Sequence, residues 1–297
     1  MKKTILYFAL MFLTVGYNSQ ARQTSDGRQL PADRKDTVAF QSGYLLVNGI
    51  KMYYQIHGSG QPVVLIHGGG STIETTFGRV IPLLARHRRV IAMDLQAHGR
   101  TSDRNQDESF EQDADDVAAL LKKLNIAEAD FFGFSNGGTT TLQIAIRHPE
   151  MVRKMVLGSA LAKRSGVPVE FWDFMSKANL DNMPKELKDA YLAVTPDTAG
   201  LRTMQRKDAK RVINFKDISD AQLKSIKAQA LIIIADKDVI EPAHALEMQR
   251  QIQKSQLAVI PGLHGEYIGE VTTLKQGLSS QADFVVPMIE RFLDSTD

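Results

Sequence analysis

Hydrophobic and polar residues alternate differently in successive parts of this chain. Tyr44-Leu-Leu-Val47 and Ile50 to Ile56 flank Asn48-Gly49, the pattern of two strands joined by a tight hairpin turn. Pro62 to His67 is then continuously apolar, as a strand buried on both faces must be. From there strand and helix patterns take turns. The periodicity predicts a helix over Glu74–Arg86, a strand over Arg89–Asp94 and a helix over Asp113–Leu124, with Val117, Leu120, Leu121 and Leu124 at helical spacing. A strand from Asp130, a helix over Thr139–Arg147 and a strand over Met151–Leu157 follow. The C-terminal part predicts a strand at Ala230–Ala235, a helix at Pro242–Ile252, a strand at Leu257–Ile260 and a helix at Phe284–Leu293. An antiparallel start followed by alternating units predicts an α/β fold, a mostly parallel sheet flanked by helices. Residues 163–227 carry helical patterning without a strand and fall between two sheet strands, so they read as an inserted helical cap. No internal repeat interrupts the order.

The first 21 residues follow another rule. Lys2 and Lys3 precede an apolar run from Ile5 to Val15, and Ser19 and Ala21 occupy the two small positions of a cleavage site. That is the layout of a secretory signal peptide cut after Ala21, and the run is too short to span a bilayer. Residues 22–42 are polar and read as a flexible mature N-terminus ahead of one domain at 43–297. The expected location is therefore secreted, in the periplasm, with no stable membrane anchor after cleavage. Removing Lys2 and Lys3 from 36 basic residues leaves as many as the 34 acidic ones. A formally neutral mature chain offers no footprint for nucleic acid. With no cysteine, disulfides, thiolate metal sites and a cysteine nucleophile are excluded.

The chemistry concentrates where predicted strands end. Gly133-Phe-Ser-Asn-Gly137 is a G-x-S-x-G pattern lying between a strand and a helix, the context in which a serine hydroxyl is thrust clear of the backbone. A serine needs a base and an oriented base needs a carboxylate. Asp236-Lys-Asp238 follows one later strand and His264 follows the last, so all lie beyond the carboxyl ends of the sheet. Gly68-Gly-Gly70 could cradle a phosphate, but no Lys-Ser/Thr follows to complete such a loop.

Taken together, Val64-Leu-Ile-His-Gly-Gly-Gly70, Asp94-Leu-Gln-Ala-His-Gly-Arg-Thr-Ser102, Gly133–Gly137 and Asp236–Pro242 with Pro261-Gly-Leu-His264 resemble the α/β-hydrolases. The resemblance runs from Gly43 onward. It points to the capped, esterase-like group that includes lactonases, carbon–carbon hydrolases and cofactor-free haloperoxidase relatives. It implies Ser135 as nucleophile, His264 as base and Asp238 as the acid in preference to Asp236, with Glu241 a third candidate. It also implies an oxyanion hole from the Gly69 and Asn136 amides. His67 should support its loop, and His98 should stand near the pocket mouth. His148 and His244 read as helix-surface residues.

The cap supplies Phe171, Trp172 and Met175, expected with Gly70 and His98 to line an apolar pocket; taken singly, each aromatic could equally pack the cap on the sheet. Arg202, Arg206, Lys207, Lys210 and Arg211 read as a solvated helix face. One departure from the family is Glu266, a carboxylate close to His264 where an apolar residue is usual. No metal or cofactor is expected. The reading is a serine hydrolase acting on carboxylic esters of small or medium apolar substrates. Lactone, peptide or carbon–carbon hydrolysis on the same residues stays open, as does a ligand-binding relative without turnover.

Overall fold

In the computed structural model, residues 40–274 and 281–296 are described. The expected signal peptide and most of the expected N-terminal tail, residues 1–39, lie outside them. The first strand reaches further back than the hydrophobic pattern suggested: β1 (Phe40–Val47) pairs with β2 (Ile50–His57) along eight residue pairs from Phe40↔His57 to Val47↔Ile50. Backbone pairing needs no apolar side chain, so Phe40 to Ser42 join the strand although they are exposed. Asn48 and Gly49 both take positive φ, 42° and 87°, as the two-residue turn requires.

The remaining strands are β3 (Pro62–Ile66), β4 (Arg89–Met93), β5 (Ala129–Phe134), β6 (Val152–Gly158), β7 (Gln229–Lys237) and β8 (Ser255–Leu263). They form one eight-stranded sheet in the order β1-β2-β4-β3-β5-β6-β7-β8. The pairings of β1 with β2 and of β2 with β4 are antiparallel and the others parallel. Every residue of β5 is buried, which explains its unbroken Ala-Asp-Phe-Phe-Gly-Phe run at the centre of the sheet. Even Asp130 is accommodated, because Arg88 and Arg153 pair with it.

The expected helix over Glu74–Arg86 is instead two short ones, α1 (Ile73–Phe77) and α2 (Ile81–Leu84). Gly78 closes the first and Pro82 lies at the start of the second, where its missing N–H breaks no bond. The helix α3 (Phe110–Lys123) starts three residues before its apolar pattern because Ser109 caps it, accepting from the Gln112 amide. Then come α4 (Asn136–Arg147), the cap helices α5 (Val169–Ser176), α6 (Lys185–Val194), α7 (Thr198–Ile213) and α8 (Asp220–Ser225), then α9 (Pro242–Gln251) and α10 (Gln281–Asp294). The cap thus occupies the interval between β6 and β7. Among the described residues no helix is long and apolar enough to cross a membrane.

The basic face of α7 departs from expectation. Arg202, Arg206 and Lys210 are exposed, but Lys207 and Arg211 are buried. Lys207 Nζ reaches both Asp103 carboxylate oxygens and the Arg104 and Gln106 carbonyls. Arg211 pairs with Asp113 and Asp208. Positions 207 and 211 are one turn apart, so they share the helix face turned to the sheet, where acids of the loop before α3 and of α3 itself await them.

Crowding around β5 yields a prediction. A methyl group on Gly137 would overlap the carbonyl oxygens of Ile66 and His67, backbone that cannot rotate away. Gly137→Ala should therefore lower stability by about 1–3 kcal/mol, read as a reduced urea midpoint with unchanged slope.

Candidate active site

Ser135 joins β5 to α4 with φ 54° and ψ −120°, a backbone conformation that side chains disfavour. Its amide donates to the Gly158 carbonyl at 2.8 Å, tying the turn to β6. His264 follows β8, and its Nε2 lies 3.1 Å from Ser135 Oγ. On the other side of the ring, Nδ1 lies 2.6 Å from Asp238 Oδ1. A carboxylate only accepts, so Nδ1 carries the proton and Nε2 faces the serine with a lone pair. Asp236 is turned elsewhere, accepting from the Gly262 amide at 2.7 Å and fastening the end of β7 to the end of β8.

Two residues that no motif singled out hold Asp238. Ser159 Oγ donates to its Oδ2 at 2.6 Å, and the buried Tyr267 hydroxyl lies 2.9 Å from that same Oγ. The Ile240 amide donates to Oδ1 at 3.0 Å. Burial would push the Asp238 carboxyl up, but the His264 ring and these donors outweigh it and hold it below the usual carboxylate range. For His264, burial opposes the charged form, and the Asp238 carboxylate overcomes it, leaving the imidazole above the ordinary histidine value.

The Gly69 and Asn136 amides, at the turn after β3 and the first residue of α4, have no protein acceptor among the described residues and border the cavity at Ser135. His67 supports that turn: Nδ1 donates to the Gly68 carbonyl at 2.8 Å, and Nε2 accepts from the Leu95 amide at 3.0 Å. Asn136 also sends its side-chain amide to Asp208 Oδ1 on the cap at 3.1 Å. Asp208 thus stands beside the Gly69 turn; its spacing in the chain gave no hint of this.

The cavity over Ser135 measures about 440 Å³ and lies between sheet and cap. Phe110, Phe134, Leu161, Phe171, Phe174 and Phe215 give it an apolar wall. Across Gly69 a smaller hollow of about 140 Å³ is bordered by Gly70, Met175, Met183 and Asp208. Two expected pocket residues are elsewhere. Trp172 packs against the core beneath Arg164, whose guanidinium sits 3.6 Å from its ring centroid, and its indole N–H donates to the Arg164 carbonyl. His98 is fully buried beneath the cap and away from the mouth, because the loop after β4 folds inward to pack on α7. His244 likewise departs from the helix-surface reading: it is buried, and its Nε2 accepts from the Ala162 amide at the root of the cap. Glu266 accepts from the Leu263 amide and closes the turn. The carboxyl that does border the cavity is Glu270, raised by burial and held by Thr272.

This fold recurs in known proteins. The alpha/beta hydrolase fold family matches residues 61–205. The 2-hydroxy-6-oxo-2,4-heptadienoate hydrolase of Pseudomonas putida is 30% identical over 243 residues, covering 72% of this chain and 86% of that protein. The chain belongs to the α/β-hydrolase family. The human serine hydrolase BPHL is 28% identical across 79% of this chain and 85% of its own. Other curated relatives match over shorter stretches, and the chain spans only 45%, 44% and 42% of the length of three of them. Among solved structures, a serine hydrolase involved in carbazole degradation superposes with a TM-score of 0.70 at 23% identity, covering 86% of this chain and 99% of its own. At that identity the likeness speaks for the fold alone.

The raised His264 pKa can be read without turnover. Its imidazole should titrate above about 6.5 in the folded chain, and lower in Asp238→Asn, where burial is opposed only by the Glu270 carboxyl. Histidine ring resonances followed by NMR across pH 4–9 check this; an unchanged midpoint in the variant would contradict the assignment.

Proposed function

We propose that this protein is a serine hydrolase that cleaves uncharged carboxylic esters with a small or medium apolar acyl or aryl part. The observation that carries this reading is the unbroken hydrogen-bonded series Ser135–His264–Asp238, opening on an apolar cavity beside two unengaged amides. In this mechanism Ser135 Oγ attacks the carbonyl carbon while His264 Nε2 takes its proton. Asp238 stabilises the imidazolium through Nδ1–H. The Gly69 and Asn136 amides receive the developing oxyanion, a contribution of about 3–4 kcal/mol per donor in comparable enzymes. Collapse expels the alcohol with the proton from His264, and water, activated by the same ring, releases the acid.

The cavity wall also bears on the substrate. Among its described residues there is no Lys or Arg, and besides His264 its one titratable side chain is Glu270. An anionic substrate would lose its hydration there without meeting a cation. The named activity of the P. putida relative supports a second reading, hydrolysis of a 2-hydroxy-6-oxo-dienoate on the same residues. On either reading the partner is a small molecule. The leader-like pattern of residues 1–21 supports a periplasmic location for this activity, which N-terminal sequencing of the exported protein would test.

Hydrolysis of p-nitrophenyl esters of graded chain length should be measurable and should disappear in Ser135→Ala, which keeps its fold by circular dichroism. Preference for a 2-hydroxy-6-oxo-dienoate over every ester would favour the second reading; full activity in Ser135→Ala would sink both. Ser159→Ala, which removes one charge-assisted hydrogen bond from Asp238, should lower kcat about 10- to 100-fold with KM little changed.

A further inference from the structure

Beneath the oxyanion turn, where the cap meets the sheet, His98, Glu108 and Asp208 converge. One donor atom from each lies within 4.8 Å of the other two. The three come from the loop after β4, the approach to α3, and cap helix α7. The proton on His98 can be placed: Nδ1 lies 2.7 Å from the Gln96 carbonyl, which only accepts, so Nδ1 donates and Nε2 keeps its lone pair. Nε2 has no hydrogen-bond partner, is shut off from solvent, and faces Asp208 Oδ1 at 4.0 Å. Both Glu108 carboxyl oxygens are likewise buried without a partner. Acceptors gathered in a dry place repel one another unless something positive or hydrogen-bonding stands between them.

Arg211 answers only part of that need. It pairs with Asp113 and with Asp208 Oδ1, and its Nε lies 3.9 Å from Glu108. Three carboxyl groups therefore surround one guanidinium. The neighbouring Lys207–Asp103 and Arg104–Asp116 pairs are already closed on themselves. One further dication would bring the ionised cluster to neutrality. Asn136 and Arg211 both use Oδ1 of Asp208, the oxygen that faces His98, while Oδ2 accepts no hydrogen bond and lies on the side of Gly69. An imidazole whose second nitrogen donates to a backbone carbonyl is also the arrangement that ligating histidines adopt.

We propose that His98, Glu108 and Asp208 form a binding site for a divalent transition-metal ion, such as zinc, that clips the cap to the sheet. One imidazole nitrogen and two carboxylates suit zinc or its first-row neighbours better than calcium or magnesium. Metal–ligand bonds of about 2.0–2.2 Å require the donors to close by about an ångström, and water completes the coordination. The site is separate from the proposed catalytic residues and rests on none of the hydrolytic reading. It touches the active site through the Asp208–Asn136 hydrogen bond and through the His98 ring, whose centroid lies 5.1 Å from that of His67.

The test is isothermal titration of the chelator-stripped full chain with Zn²⁺, alongside thermal melts with and without the metal. The expected result is one Zn²⁺ per chain at micromolar affinity or better, with a melting temperature that rises with metal concentration. His98→Gln and Glu108→Gln should each weaken binding at least tenfold and abolish the rise. Absence of binding to the folded wild type, or binding unaltered in both variants, would overturn the proposal and leave a buried water as the bridge between these groups. Should the variants fail to fold, the Co²⁺-loaded wild type decides. A His98 ring resonance shifted by the paramagnetic ion supports the site, and an unshifted one refutes it.

Discussion

The close approach of α4 to β3 and β5 is the constraint from which the rest of this architecture follows. Ser135 can hold φ 54° only because Gly133 and Gly137 let backbone meet backbone on either side of it. The Gly158 carbonyl then secures its amide. Such strain, of order 1–3 kcal/mol, persists where neighbours over-determine it. Here they are the two central parallel strands and a helix buried along most of its length. The same geometry lifts the serine hydroxyl above the sheet and aims the first amide of α4 at the cavity.

Around that elbow, polar groups are arranged by what each can donate or accept. Besides its bond to His264, Asp238 is fixed by two donors: Ser159, backed by Tyr267, and the Ile240 amide. An acid so held keeps the imidazole in one tautomer and favours its charged form, as a base in acyl transfer requires. The cavity opposite has a largely aromatic and aliphatic wall, with Glu270 as its one acid, so Asp238 stays behind the histidine rather than beside the substrate.

The cap is joined to the sheet by unlike interactions. On one side Phe171 and Trp172 pack on the core. On the other, buried Lys207 and Arg211 meet acids of the sheet domain. A buried charge without its partner is costly, so these pairs define one seating of α7 more sharply than greasy contact could. That seating brings Asp208 beside the Gly69 turn and couples cap position to the side chain of Asn136.

What the chain determined by itself is local and periodic. Alternation of apolar runs and amphipathic segments specified the succession of strands and helices of an α/β fold, because a strand buried on both faces and a helix buried on one cannot share a pattern. Gly133–Gly137 marked the elbow for the same reason: steric need is written in adjacent residues. His264 was legible because it follows the last predicted strand, whereas position left Asp236 and Asp238 together and only the family resemblance preferred Asp238. Tertiary structure alone decided the rest. Ser159 and Tyr267 serve Asp238 from positions 79 and 29 residues away along the chain, and nothing local marks them. Lys207 and Arg211 read as solvated because charge usually is; only docking of α7 against Asp103 and Asp113 turned them inward. His98, Glu108 and Asp208 met for the same reason. Sequence reports what a segment can do with its neighbours in the chain, and a cap seated across a sheet makes neighbours of residues a hundred positions apart.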